Sequence, residues 1–209
     1  MNVFFKYFWL FTFGSFVGFI IETIWCLIRN KKIESRKGLI YGYFTPVYGV
    51  SAIFITLAYE ILSFKNIFAV FVLTFIISFL VEYVSSFLQE KCFGTKSWDY
   101  SNFPLNINGR VNIIYMLGFS ICGILWINIY PIFLEKIYYL LNYFNLFNIV
   151  SIIMIIYMIY NCFISIVASY RQKMRRNGKI ASNKFTIWLD KKYNDEFMKK
   201  IYANATFVK

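Results

Sequence analysis

Five long stretches, 4–28, 46–62, 67–87, 111–134 and 147–169, are almost free of charge, and they constrain this chain more than anything else in it. An apolar run of about 20 residues spans the hydrocarbon core of a bilayer when helical. In lipid the backbone must satisfy its own hydrogen bonds, so such runs become helices. Charged residues make up only 15% of the chain, where a soluble domain carries about 25%. The sequence therefore reads as an all-α membrane protein with about five transmembrane helices over residues 1–169. A basic tail, 170–209, follows. The first run is too long for a signal-peptide core and lacks a small-residue cleavage site, so it is read as a retained helix.

The charges set the topology. Arg29, Lys31, Lys32, Arg36 and Lys37 crowd into one loop, Lys91, Lys96 and Arg110 into another, and eleven more basic residues lie from Arg171 onward. Basic loops stay on the cytoplasmic side. The N-terminus is then outside and the C-terminus inside, and the short loop 63–66 and the pair Glu135 and Lys136 are outside. This distribution accounts for the net charge of +12 without a nucleic-acid partner; the bilayer is the partner the composition demands.

Two apolar segments carry a glutamate in matching surroundings. Gly18-Phe19-Ile20-Ile21-Glu22-Thr23-Ile24 reads in step with Ser78-Phe79-Leu80-Val81-Glu82-Tyr83-Val84, and the match runs on to Lys31 and Lys91 at an offset of 60 residues. With the topology above, this implies a parallel repeat of two helices. A carboxylate in the hydrocarbon slab is costly and marks a functional site by default, and repeats in membrane proteins tend to build a site between them. Gly14, Gly18 and Glu22 share one helical face, where the glycines let another helix approach closely. At 1.5 Å per residue, Glu22 lies about 10 Å from Arg29 and the cytoplasmic interface. Glu82, Ser86 and Glu90 repeat the spacing on the third helix. The expectation is that the first and third helices pack near each other with both carboxylates inward. A structural ion pair is the plain alternative for each.

Three other stretches stand out. Residues 38–49 are apolar but broken by Gly38, Gly42, Pro46 and Gly49, so they form either a tight turn or an unwound segment, which lipid depth permits only where protein or water covers the backbone. Residues 98–110 are long for a loop and rich in Asn and aromatic groups, and they end in Gly109-Arg110. Arg110 is expected to pair with Asp99, Glu90 or Glu82, or to hold an anionic group. In the tail, Phe185, Leu189, Tyr193, Phe197 and Ile201 recur every four residues between lysines. That predicts one amphipathic helix on the anionic cytoplasmic leaflet, or one docked on a protein partner. The chain has no histidine, and its four cysteines, Cys26, Cys92, Cys122 and Cys162, have no metal-like spacing; they read as free thiols.

The order Glu82-Tyr83, Ser85-Ser86, Glu90-Lys91, Phe93-Gly94, Trp98-Asp99-Tyr100-Ser101, Pro104, Asn106 and Asn108-Gly109-Arg110 resembles the bacterial family labelled putative ABC-transporter type IV permeases. Glu22 with Trp25, Gly38, Tyr41-Gly42 and Pro46-Val47-Tyr48-Gly49 resembles its N-terminal motif. The chain departs from the family pattern at Arg36-Lys37, Tyr43 and Ser97. The resemblance implies a permease in the bacterial cytoplasmic membrane. The chain has no phosphate-binding loop of its own, so ATP use would need a separate ATPase subunit, and so few helices imply a homo-oligomer or a partner for a full path. No cofactor is implied.

The reading is a small permease subunit with a polar site near the cytoplasmic face: Glu22 and Glu82 lining it, with Glu90, Asp99, Asn106, Asn108 and Arg110 as its wall or gate. The rival is a membrane enzyme acting on a lipid or isoprenoid headgroup, with Arg110 on a phosphate and Glu82 or Asp99 as base.

Overall fold

The computed structural model describes residues 1–64 and 66–208; Lys65 of the expected outer loop and Lys209 of the tail lie outside the described residues. The helices are α1 (Val3–Asn30), α2 (Pro46–Leu62), α3 (Ile67–Phe93), α4 (Ile113–Tyr143), α5 (Phe147–Arg176), α6 (Lys184–Lys192) and α7 (Asp195–Ile201). Four short strands accompany them: β1 (Thr95–Lys96), β2 (Asn106–Ile107), β3 (Val111–Asn112) and β4 (Thr206–Phe207). Four helices, α1, α3, α4 and α5, are long and apolar enough to cross a membrane, and α2 is a shorter apolar helix. The all-α membrane fold with about five spans is thus observed.

The long helices overrun their apolar cores. Helix α3 continues to Phe93 and α5 to Arg176, and α4 runs through Pro131 to Tyr143. A proline removes one backbone bond, but an apolar solvent offers the backbone no other partner, so the helix persists. The ends are capped by Asn2, Asn66 and Asn112, whose side chains accept the first free N–H groups of α1, α3 and α4.

Helices pack as two hairpins, α1 on α2 and α3 on α4, with α2 also against α3. The glycines explain the first hairpin. A Cβ on Gly14 would lie 2.6 Å from the Ala52 Cβ, and one on Gly18 would run into the Tyr48 side chain. In the second hairpin Thr74, at the position matching Gly14, contacts Gly123 and donates to the Ser120 carbonyl at 3.2 Å. The first and third helices, expected near each other, both pack on α2. The small-residue face of α1 is used up against α2, which stands between α1 and α3.

At 17 residues, α2 is only about 25 Å long, because the chain leading to it is not helical from Ser35 to Thr45. This unwound segment runs beside the bundle, and its polar groups are covered by protein. Asn161 on α5, fully buried, accepts from the Tyr41 N–H at 3.0 Å and donates to the Tyr41 carbonyl at 2.7 Å. Ser165 accepts from the Ile40 N–H at 2.9 Å, and the Ser15 carbonyl of α1 accepts from the Thr45 N–H at 2.9 Å.

The tail forms two short helices instead of one. Asn194 caps α7 by accepting from the Phe197 N–H, which breaks the stripe after Tyr193. Leu189, Tyr193 and Met198 are buried against Ile40, Ile164 and Ala168, so the apolar face docks on the protein's own bundle. Asp190 lies 2.7 Å from both Arg171 and Arg175, and Arg175 also reaches Asp195 at 2.6 Å. The hydrogen bond from Arg171, with help from Arg175, holds the Asp190 carboxyl below its ordinary range. Beyond α7, β4 pairs antiparallel with β1. The three basic stretches thus gather at one end of the bundle: Ser35 donates to the Ile201 carbonyl, and Lys173 to the Lys91 and Cys92 carbonyls.

Candidate functional site

At this basic end, each carboxylate of the matched segments meets a tyrosine. Gly18 leaves room for the Tyr48 ring, which lies in the first turn of α2 and donates its hydroxyl to Glu22 Oε1 at 2.7 Å. Glu82 on α3 is 8% exposed and accepts from the Tyr100 hydroxyl at 3.1 Å, while its Oε2 has no partner. Glu22, Tyr48, Tyr100 and Glu82 lie within electrostatic reach of one another. Although their helices do not pack directly, both carboxylates face the same interior. Among the described residues neither forms an ion pair.

Residues 95–112 fold over this pair. Strands β2 and β3 pair antiparallel around the turn at Asn108 and Gly109, both at positive φ; Asn-Gly is the sequence that adopts such a turn most readily. The turn carries Tyr100 inward: its N–H donates to the Gly109 carbonyl at 2.8 Å, and its ring stacks on Tyr115 of α4 at 5.1 Å. Phe103 packs on Tyr115 and sits under the Arg29 guanidinium at 5.2 Å. Trp98 donates to the Arg110 carbonyl at 2.8 Å.

The remaining sequence candidates fall around this lid. Arg110 pairs with Glu90 at 2.7 Å and donates to Ser86 Oγ at 3.3 Å, so its expected carboxylate partner is Glu90. Asp99 instead accepts from the Ser101 N–H and hydroxyl, which hold its carboxyl below its ordinary range, and faces Lys96 at 3.6 Å. Asn106 bonds the Phe103 carbonyl and the Gly109 N–H, and Asn108 donates to the Tyr83 hydroxyl at 3.0 Å. Asp99 and Asn106 thus spend their hydrogen bonds on the lid, Asn108 ties it to α3, and only Glu22 and Glu82 sit beneath it.

Two features escaped the sequence reading. The buried face of α3 continues as Thr74, Ser78, Glu82 and Ser86, one turn apart; Thr74 and Ser78 were hidden because each also reads as an ordinary helix-contact residue. At the opposite end, Glu60 takes Lys6 at 2.5 Å, Tyr7 at 3.2 Å and Tyr130 at 3.1 Å. The i, i+4 spacing that flagged Glu82 has no counterpart around Glu60, whose partners come from other helices.

A bundle of lipid-length helices with one carboxylate buried and a second half-buried beneath the loop 95–112 defines a multi-pass integral membrane protein. Its family follows from residues 9–166, which match the family model described as “Putative ABC-transporter type IV”; the chain belongs to that family. No curated protein and no solved structure matches it.

Proposed function

We propose that this protein is a small permease subunit of a transporter in the bacterial cytoplasmic membrane, with a polar site near the cytoplasmic face. Glu22 and Glu82 line the site, Tyr48 and Tyr100 hold them, and the hairpin framed by Asp99, Asn106 and Asn108 is its gate. The Arg110–Glu90 pair ties that gate to α3. The observation that carries this reading is the buried Glu82, with one oxygen unpartnered beneath a loop that reaches it through a single tyrosine. A group that expensive in a bilayer is kept for use. Membership of a transporter family supports the same reading. The enzyme reading needs Arg110 free for a phosphate, and Arg110 is engaged by Glu90 at 2.7 Å, so the permease is preferred.

A separate ATPase subunit would supply the energy by docking at the basic end. The test is purification of the full chain from its native membrane in mild detergent, with ATP hydrolysis assayed on the purified material. The reading expects an ATPase in fixed ratio whose hydrolysis falls at least several-fold with Glu82→Gln. A protein that purifies alone and turns over a lipid headgroup would contradict it.

A further inference from the structure

We infer that the Glu22–Glu82 pair binds one monovalent cation, a proton or an alkali-metal ion, that exchanges with the cytoplasmic side. This rests on the polar site proposed above and names its occupant. Two carboxylates, Glu82 buried and Glu22 half-buried, lie within electrostatic reach of each other in the membrane-spanning bundle, and among the described residues neither has a basic partner. An unpaired charge at low dielectric is costly, and among the described residues no Lys or Arg offsets it. Arg110, on the lid above, is committed to Glu90.

The second observation is independent of the charge count. Glu82 is more than nine-tenths buried, and its Oε2 is without a hydrogen-bond partner. Buried polar atoms are almost always partnered, so an orphaned oxygen on the inner face of α3 is a place for something that the chain does not supply. The surroundings say what kind of thing. Tyr48 and Tyr100 donate their protons to the carboxylates, which leaves their oxygens able to face a cation. The ring of Tyr115 stacks on Tyr100 and that of Phe119 packs on Tyr48 at 5.6 Å, which holds both tyrosines in place. These are hard oxygen donors, suited to a proton or an alkali metal. Among the described residues no third acidic, histidine or cysteine side chain joins them, as a divalent site would require.

The groups facing Glu82 are Glu22 from α1, Tyr48 from α2, Tyr100 from the lid and Tyr115 beside it from α4, with Ser78 and Ser86 on its own helix. The Glu90–Arg110 pair lies further along toward the mouth. Exchange therefore runs past Tyr100, the one lid side chain bonded to Glu82.

The test uses the full chain in detergent and reads Tm from tryptophan fluorescence. Sodium or potassium chloride is compared with choline chloride at equal ionic strength, and pH is varied over roughly 5 to 9, around the range where perturbed carboxylates titrate. An alkali-metal occupant gives a saturable rise in Tm over choline. A proton occupant gives no difference between salts and a Tm that rises as pH falls. In either case Glu82→Gln must remove the response, because the isosteric amide carries no charge to neutralise. A wild type whose salt and pH responses match those of Glu82→Gln overturns the proposal. If that variant does not fold, Tyr100→Phe takes its place: loss of the one donor to Glu82 among the described residues should move the midpoint at least threefold in cation or proton concentration, and an unmoved midpoint overturns the proposal equally. A transporter without a cation site would keep its ATPase and show no such response, whereas a cation site outside any transporter would show the reverse.

Discussion

Replacing Asn161 with leucine should release the unwound segment before α2 from the bundle. Asn161 is fully buried on α5 and bonds both the N–H and the carbonyl of Tyr41, at 3.0 and 2.7 Å. Leucine keeps the branched outline of asparagine but is larger, which adds some overpacking strain, and it leaves two backbone groups without partners. Each buried orphan costs about 1–3 kcal/mol, for a total of about 2–6 kcal/mol. Ser165→Ala orphans one backbone group, the Ile40 N–H, and removes a long bond to Asn161 at 3.5 Å; it should cost about 1–3 kcal/mol. At roughly 3 °C per kcal/mol for a chain of this size, the Asn161 variant should lose on the order of 10 °C in Tm and the Ser165 variant about half of that. Tryptophan fluorescence of the purified protein on heating reads both. An Asn161→Leu variant as stable as the wild type would refute the idea that side chains of α5 cover this backbone, and so would a Ser165→Ala variant that loses more.

Gly14→Val should destabilise the α1–α2 hairpin by about 1–3 kcal/mol, because its Cβ would meet Ala52 at 2.6 Å, whereas Gly118→Ala, with nothing within 4 Å, should be neutral; equal Tm losses would contradict the close approach. Acid should undock the tail: Asp190 titrates below its ordinary 3.8, so its contribution is complete above that value and is lost as pH falls through the lower folded value. Proteolysis of the tail should therefore rise below about pH 3.8, and Asp190→Asn should show the same susceptibility already at neutral pH. For orientation, a cysteine at Ser63 should react with an impermeant reagent from outside and one at Ser182 only from inside; the reverse pattern would invert the bundle.

The helices were legible because hydrocarbon leaves the backbone no alternative, and their ends were underestimated because polar residues such as Glu90 and Arg175 can still continue a helix. Glu22 and Glu82 were legible as a pair because a carboxylate in an apolar run has few innocent explanations. Their tyrosine partners were not, since Tyr48 and Tyr100 look like any interfacial aromatic until α2 and the lid bring them in. The partner of the small-residue face was not legible: Gly14 and Gly18 announce a close neighbour but do not say which one, and Gly49 and Ala52 of α2 supplied the match. The tail's stripe gave its buried face, while Asn194 ended the helix sooner than the four-residue period implied.

The most direct test of a polar site opening toward the cytoplasm is the reaction of a cysteine placed at Ser86, in a background free of the four native cysteines, with charged thiol reagents. Ser86 is buried between Glu82 and the Arg110–Glu90 pair, and Ser120, buried in the tight contact of α3 with α4, is the control. Ser86→Cys should react from the cytoplasmic side only, at least tenfold faster with a cationic than with an anionic reagent, while Ser120→Cys stays silent from both sides. A Ser86→Cys variant as silent as Ser120→Cys, or one that prefers the anionic reagent, would contradict an acidic site beneath a cytoplasmic gate.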